Sequence, residues 1–142
     1  MDEVPYEVTW DGKMEVTTLW EALTEFKNKG NKTKSIQQQL ESWGDRTIQF
    51  IVQGGEDCTL IIRKGRTVLE KGKMGNPDLT FTALDGHLIN LITGQTDYTS
   101  LDIIGNITFQ GKPADKNKFI AIIGLFVDAL LGELDESVNP DE

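Results

Sequence analysis

The sequence is short of the residues from which reactive sites are usually built. Its 142 residues include one cysteine, Cys58, and one histidine, His87. An internal disulfide and a cysteine-rich zinc site are therefore excluded, and a zinc ion would have to rely on carboxylates. No metal and no cofactor is assigned. The four serines stand outside any Gly-x-Ser-x-Gly frame, so a serine triad has little material. Basic residues are scarce as well: 14 Lys and Arg against 23 Asp and Glu give a formal net charge of −9. Such a field repels a polyanion, so nucleic acid is not an expected partner. The N-terminal Met1-Asp2-Glu3-Val4-Pro5 has neither the basic nor the apolar region of a secretory signal, so a cytoplasmic setting is expected. In that setting the Asn31-Lys32-Thr33 and Asn106-Ile107-Thr108 triplets are chance matches to the glycosylation pattern. The longest apolar run, 119–131 with Asp128 accepted, has 13 residues, too few for a bilayer span of about 20.

Nucleotide-binding loops are missing too. The segment 105–112 begins and ends like a phosphate loop, but five residues separate Gly105 from Gly111, where the motif has four, and Pro113 replaces the metal-binding hydroxyl. No Gly-x-Gly-x-x-Gly occurs. The remaining nucleophile and base are Cys58 and His87. Cys58 lies in an apolar alternation that suits an inert buried thiol, and His87, just past Asp85-Gly86, suits a solvated or capping side chain. These absences point away from an enzyme.

What is present is a core. Leu, Ile, Val and Phe make up 40 of the 142 residues, well above the range of disordered chains. A chain of this size buries roughly 68–70% of its unfolded surface, enough for one domain without staples. Charge is distributed unevenly: residues 1–25 and 119–142 carry −6 each, whereas 26–118 carry +3. Residues 132–142 read as an acidic tail.

The hydropathy pattern predicts the elements in order. Tyr6, Val8 and Trp10 alternate before Asp11-Gly12, a dipeptide suited to a type I′ hairpin turn, with Met14 and Val16 beyond it. Thr18 and Glu21 have capping-box spacing, and Leu19, Leu23 and Phe26 predict a helix over 19–29 closed by Gly30. Ser35 and Gln38 repeat the box ahead of a second helix carrying Ile36, Leu40 and Trp43 and stopped by Gly44. From Thr47 the period becomes two, and 47–73 predict a three-stranded meander with a turn at Lys64-Gly65. Leu79, Phe81 and Ala83 predict a fourth strand, 85–94 a helix, and 103–110 a fifth strand. Pro113 and Asp115 suit the first turn of a last helix reaching Leu131.

Two features ask for a function. The last helix is apolar on more than one face, far beyond the stripe of a surface helix, and Gly124 in its interior costs about 1 kcal/mol relative to alanine. Such a helix is sandwiched in a core, lines an apolar cavity, or docks a partner. The second feature is the basic set Arg63, Lys64, Arg66, Lys71 and Lys73 on the meander, either a solvated hairpin or a seat for an anionic head group at a membrane surface.

Pro77-Asp78-Leu79-Thr80-Phe81-Thr82-Ala83, then Leu88-Ile89-Asn90-Leu91-Ile92-Thr93-Gly94, then Ile104-Gly105-Asn106-Ile107-Thr108-Phe109-Gln110-Gly111 resemble in order and spacing the strand, helix and strand of the sterol carrier protein 2 family. With the meander, the resemblance covers about residues 33–131 and leaves 1–32 as an N-terminal extension with a short hairpin and helix. It implies an α+β domain whose five-stranded sheet is covered by helices, with an apolar tunnel between the sheet, the 85–94 helix and the last helix. It also implies binding of a sterol, fatty acid, acyl-CoA or phospholipid without catalysis. Carried onto this chain, the tunnel wall comprises Phe50, Val52, Phe81, Leu88, Leu91, Ile92, Ile107, Phe109, Phe119, Ile122, Ile123 and Phe126. The alternative is an interaction module in which the apolar last helix buries against a partner protein or a second copy, as a homodimer.

Overall fold

The computed structural model describes residues 7–8 and 14–132. A small ladder pairs β1 (Glu7–Val8) with β2 (Met14–Glu15). The Asp11-Gly12 turn lies outside the described residues. The ladder sets Val8 opposite Met14, one residue off the register that a two-residue turn there would impose.

Helix α1 (Leu19–Gly30) starts as its capping box requires, with the Thr18 hydroxyl accepting from the Glu21 N–H at 3.2 Å. The Glu21 carboxylate returns to the Thr17 N–H at 2.7 Å, and that bond leads the causes holding its pKa below the ordinary value. Helix α2 (Lys34–Trp43) departs from expectation, because its cap is Thr33 rather than Ser35 and no side chain caps it. The start is fixed by tertiary bonds instead. The Gln37 amide donates to the Asn31 carbonyl at 2.9 Å, and the Asn31 side chain brackets Thr67 by accepting from its N–H and donating to its carbonyl.

The main sheet contains β3 (Arg46–Gln53), β4 (Cys58–Arg63), β5 (Arg66–Lys71), β6 (Leu79–Leu84) and β7 (Ile107–Gly111) in spatial order β5-β4-β3-β6-β7. β3 and β6 are parallel and the other pairs antiparallel, so the expected α+β class and five-stranded sheet are what the chain forms. Lys64 and Gly65, at φ 53° and 81°, make the β4–β5 connection the two-residue primed turn that matches strand twist. Register sets Phe50 beside Phe81 and Phe81 beside Phe109, a row of rings crossing three strands on the face covered by helices.

Helix α3 (Asp85–Ile92) follows β6 directly, and the Asp85 carboxylate accepts from the Leu19 N–H at 2.9 Å, tying the starts of α1 and α3 together. The next segment corrects the sequence expectation. Residues 103–106 are not strand: Tyr98–Ile103 form a short helix, α4, closed by Gly105 at φ 77°. The last rung joining β6 and β7 is Ala83 with Ile107, and β6 itself ends one residue later at Leu84, so it offers no partner for 103–105, and Ile103 and Ile104 are exposed.

Helix α5 (Pro113–Leu130) has Pro113 at its start and Asp115 in its first turn, as expected. Asp115 accepts from the Trp43 indole at 3.0 Å and pairs with Arg46 at 3.3 Å, joining α5 to α2 and β3. Burial opposes its charge, but the hydrogen bonds from Trp43 and Arg46 and the charges of Arg46 and Lys112 prevail and hold its pKa below 3.8. The core is aromatic at its centre. Phe119 stands 6.0 Å from Phe26, 6.2 Å from Phe50 and 5.8 Å from Phe81, and Phe126 stands 5.2 Å from Phe26.

Candidate functional site

Helix α5 explains its own excess of apolar residues. Phe119, Ile122, Ile123, Phe126, Ala129 and Leu130 are buried on the sheet side. Ile120, Gly124 and Val127 lie along an adjacent stripe, where they form one wall of a groove of about 270 Å³. Leu91 and Gly94, from the end of α3, and Thr96 and Tyr98, from the segment running into α4, form the other wall. Tyr98 is fixed from behind, edge-on to Phe81 at 6.2 Å, with the Lys116 ammonium 4.4 Å from its ring. Burial, followed by the charge of Asp102, raises its pKa, so the phenol stays protonated at neutral pH.

Two glycines set the groove's shape for opposite reasons. Gly94 has φ 78°, and a Cβ there would lie 2.7 Å from Cγ2 of Val127, so its absence lets the end of α3 close against α5. At Gly124 a Cβ would meet nothing within 4 Å, so this glycine leaves open space rather than admitting another backbone. The groove's volume is just below the roughly 300–1,000 Å³ of small-molecule sites, and its lining is mostly apolar, with Thr96, Tyr98 and the acidic Asp97 and Asp128 as its polar residues.

Of the twelve wall residues named from the sequence, Leu91 and Ile123 open onto this groove. The other ten lie inward. Phe50, Phe81, Leu88, Ile92, Phe119, Ile122 and Phe126 have no measurable exposure, Val52 and Ile107 are buried, and Phe109 is half-buried at the sheet edge. The sequence pattern passed over Thr96 and Tyr98 because Thr96 lies in the irregular segment before α4 and Tyr98 opens a six-residue helix too short to show periodicity. Asp97 at its cap position was the one local signal. Gly124 did carry a signal, as a glycine inside a strongly apolar helix.

The nucleophile and base considered from sequence offer little chemistry. Cys58 is 1% exposed, and burial, with the charges of Glu56, Asp85 and Asp57, pushes its thiol up to about 11. At neutral pH it is a neutral thiol. His87 is half-buried in the first turn of α3. No group of three or more His, Cys, Asp or Glu suited to a metal ion occurs among the described residues. Among them also, no helix is long and apolar enough to cross a membrane.

A five-stranded mixed sheet, a helical layer packed on it and an apolar groove within that layer define an α+β domain. The sequence profile of the SCP-2 sterol transfer family matches residues 23–124, and the chain belongs to that family. The match begins inside α1. Among solved structures, the UbiJ-SCP2 ubiquinone synthesis protein aligns with a TM-score of 0.61 at 17% identity, over 72% of this chain and 85% of that one. The sterol carrier protein domain 2 of Helicoverpa armigera aligns with a TM-score of 0.61 at 18% identity, over 75% of this chain and 84% of that one. The sec-alkylsulfatase Pisa1 from Pseudomonas sp. aligns with a TM-score of 0.53 at 17% identity, over 73% of this chain and 15% of its own length. At these identities the likeness is one of fold. No curated protein sequence matches the chain.

Proposed function

We propose that the protein binds a hydrophobic ligand, a sterol, fatty acid, acyl-CoA or phospholipid, without catalysis, and that the ligand enters between α3 and α5. The observation that carries this proposal is the groove itself, with apolar Leu91, Ile120, Ile123 and Val127 in its lining and Gly124 between them, an exposed glycine inside a helix at a stability cost of about 1 kcal/mol where a Cβ would meet nothing within 4 Å. The neutral buried thiol of Cys58 supports the non-catalytic part. Leu91 and Ile123 touch the ligand first. The ten inward residues become wall when α5 shifts off the sheet and opens the seam toward Phe119 and Phe126. Arg63, Lys64, Arg66, Lys71 and Lys73 are all exposed, which supports brief contact with an anionic membrane during loading. A cytoplasmic setting agrees with a single reduced cysteine.

Titration with a fluorescent fatty acid and a fluorescent sterol tests the proposal. Saturable binding is expected for at least one, weakened about tenfold or more by Gly124→Phe, whose ring fills the groove while the fold is retained by circular dichroism. No saturable binding, or unchanged affinity in the folded variant, contradicts it.

A further inference from the structure

A second groove, of about 650 Å³, lies between α1 and β5, and β5 is an outer strand of the sheet, as far as the topology allows from the α4–β7 edge. Its chemistry differs from that of the apolar seam. Lys27, Lys32 and Arg66 line it together with Asn28, and no Asp or Glu does. Among the described residues the recorded ion pairs are Arg46 with Asp115 and Lys71 with Glu56, so none of the three cations has a carboxylate partner there. The helix dipole accounts for part of this, since Lys27 lies in the last turn of α1, where positive charge is favourable. It does not account for Lys32, beyond the helix, or Arg66, on the strand.

The walls are braced. The Asn31 side chain bonds both the N–H of Thr67 at 2.9 Å and its carbonyl at 3.0 Å, pinning the end of α1 to β5. Those bonds also set the parity of the strand edge. Thr67 turns its backbone outward, so Leu69, two residues on and likewise lining the groove, does the same. The Leu69 N–H has no bond recorded among the described residues. Thr67 itself is 2% exposed, yet its hydroxyl has no partner among the described residues, an uncommon state for a buried polar group.

We infer that this groove is a seat for a phosphate-bearing ligand, with Lys27, Lys32 and Arg66 converging on the phosphate and Val68 and Leu69 supporting the rest of the molecule. Three cations with no counter-carboxylate among the described residues match the charge of about −1.5 to −2 on a phosphomonoester better than the single charge of a carboxylate. Arginine's planar fork suits two phosphate oxygens at once. The inference uses a different groove from the lipid proposal and shares with it only Arg66, which also belongs to the basic set proposed to meet a membrane, so Lys27 and Lys32 are what set this seat apart.

Calorimetric titration of the full chain with inorganic phosphate and pyrophosphate tests it, with a second arm measuring association with phosphatidate-containing vesicles. Three variants are compared: Lys32→Gln/Arg66→Gln, Lys27→Gln, and Lys118→Gln as a single-charge control on α5. Saturable binding of a free anion that falls at least about tenfold in the double variant, falls measurably in Lys27→Gln and persists in Lys118→Gln supports a soluble phosphorylated ligand. The same pattern confined to vesicles supports a lipid phosphate at this seat. No association in either arm, or association undiminished in the double variant, overturns the inference. All three variants change exposed or half-buried side chains, so folding is not at issue.

Discussion

Gly124 and Asp115, both on α5, show how single residues divide stability from function. Gly124 is exposed, and a Cβ added there meets nothing, so Gly124→Ala is expected to stabilise the fold by about 1 kcal/mol through helix propensity. Denaturant unfolding checks this, with the midpoint moving upward and the slope unchanged. Gly94→Ala should do the reverse, by roughly 1–2 kcal/mol, because φ 78° is strained for alanine and the new methyl meets Val127. Asp115 makes a pH prediction. Its folded pKa is depressed below 3.8, so its bonds to Trp43 and Arg46 contribute stability above that value, and the contribution is lost as pH falls through the depressed folded value. Asp115→Asn is expected to cost about 1.5 kcal/mol at neutral pH. It should also flatten the decline in melting temperature on acidification below pH 4, and a variant as acid-sensitive as the parent would contradict this assignment.

Among the secondary-structure elements, the long ones with caps and a steady period were legible in the sequence. The helix beginning at Leu19, the meander turning at Lys64-Gly65 and the last helix opening at Pro113 stand close to where their patterns put them. The misplaced stretch was 103–106, and the short helix Tyr98–Ile103 that runs into it carried no assignment. Ile103 and Ile104 read as strand because they are β-branched and run into Ile107, but the β6–β7 ladder ends at Ala83 and β6 itself at Leu84, and no local pattern reports the length of a neighbouring strand. The start of α2 was missed for a related reason. Asn31 and Gln37 fix it through bonds to the backbones of Thr67 and Asn31, and such contacts are not written in capping spacing. The candidate site was legible in its helix but not in its opposite wall. Apolar residues on two faces of α5 pointed to a cavity or a partner, whereas Thr96 and Tyr98 belong to the short α4 region. Since Ile103 is exposed on α4, Ile103→Ser should leave stability within about 0.5 kcal/mol of the parent, as for other surface positions.

The whole molecule keeps its two grooves apart, one within the helical layer and one between α1 and the β5 edge of the sheet. One is apolar and lies in the seam of α5, and the other is basic and runs along β5. The charge distribution fits this division: the net −9 comes from the two ends of the chain, while residues 26–118, which hold both the basic groove and one wall of the apolar one, carry +3. The central claim is that the α3–α5 seam admits a lipid. Intermolecular nuclear Overhauser contacts between a ¹³C-labelled fatty acid and the methyl and ring protons of the protein test it most directly. Contacts from the acyl chain to Tyr98, Ile120, Ile123 and Val127 are predicted. A bound fatty acid whose contacts all lie away from α5, or a ligand that yields none, would contradict the claim.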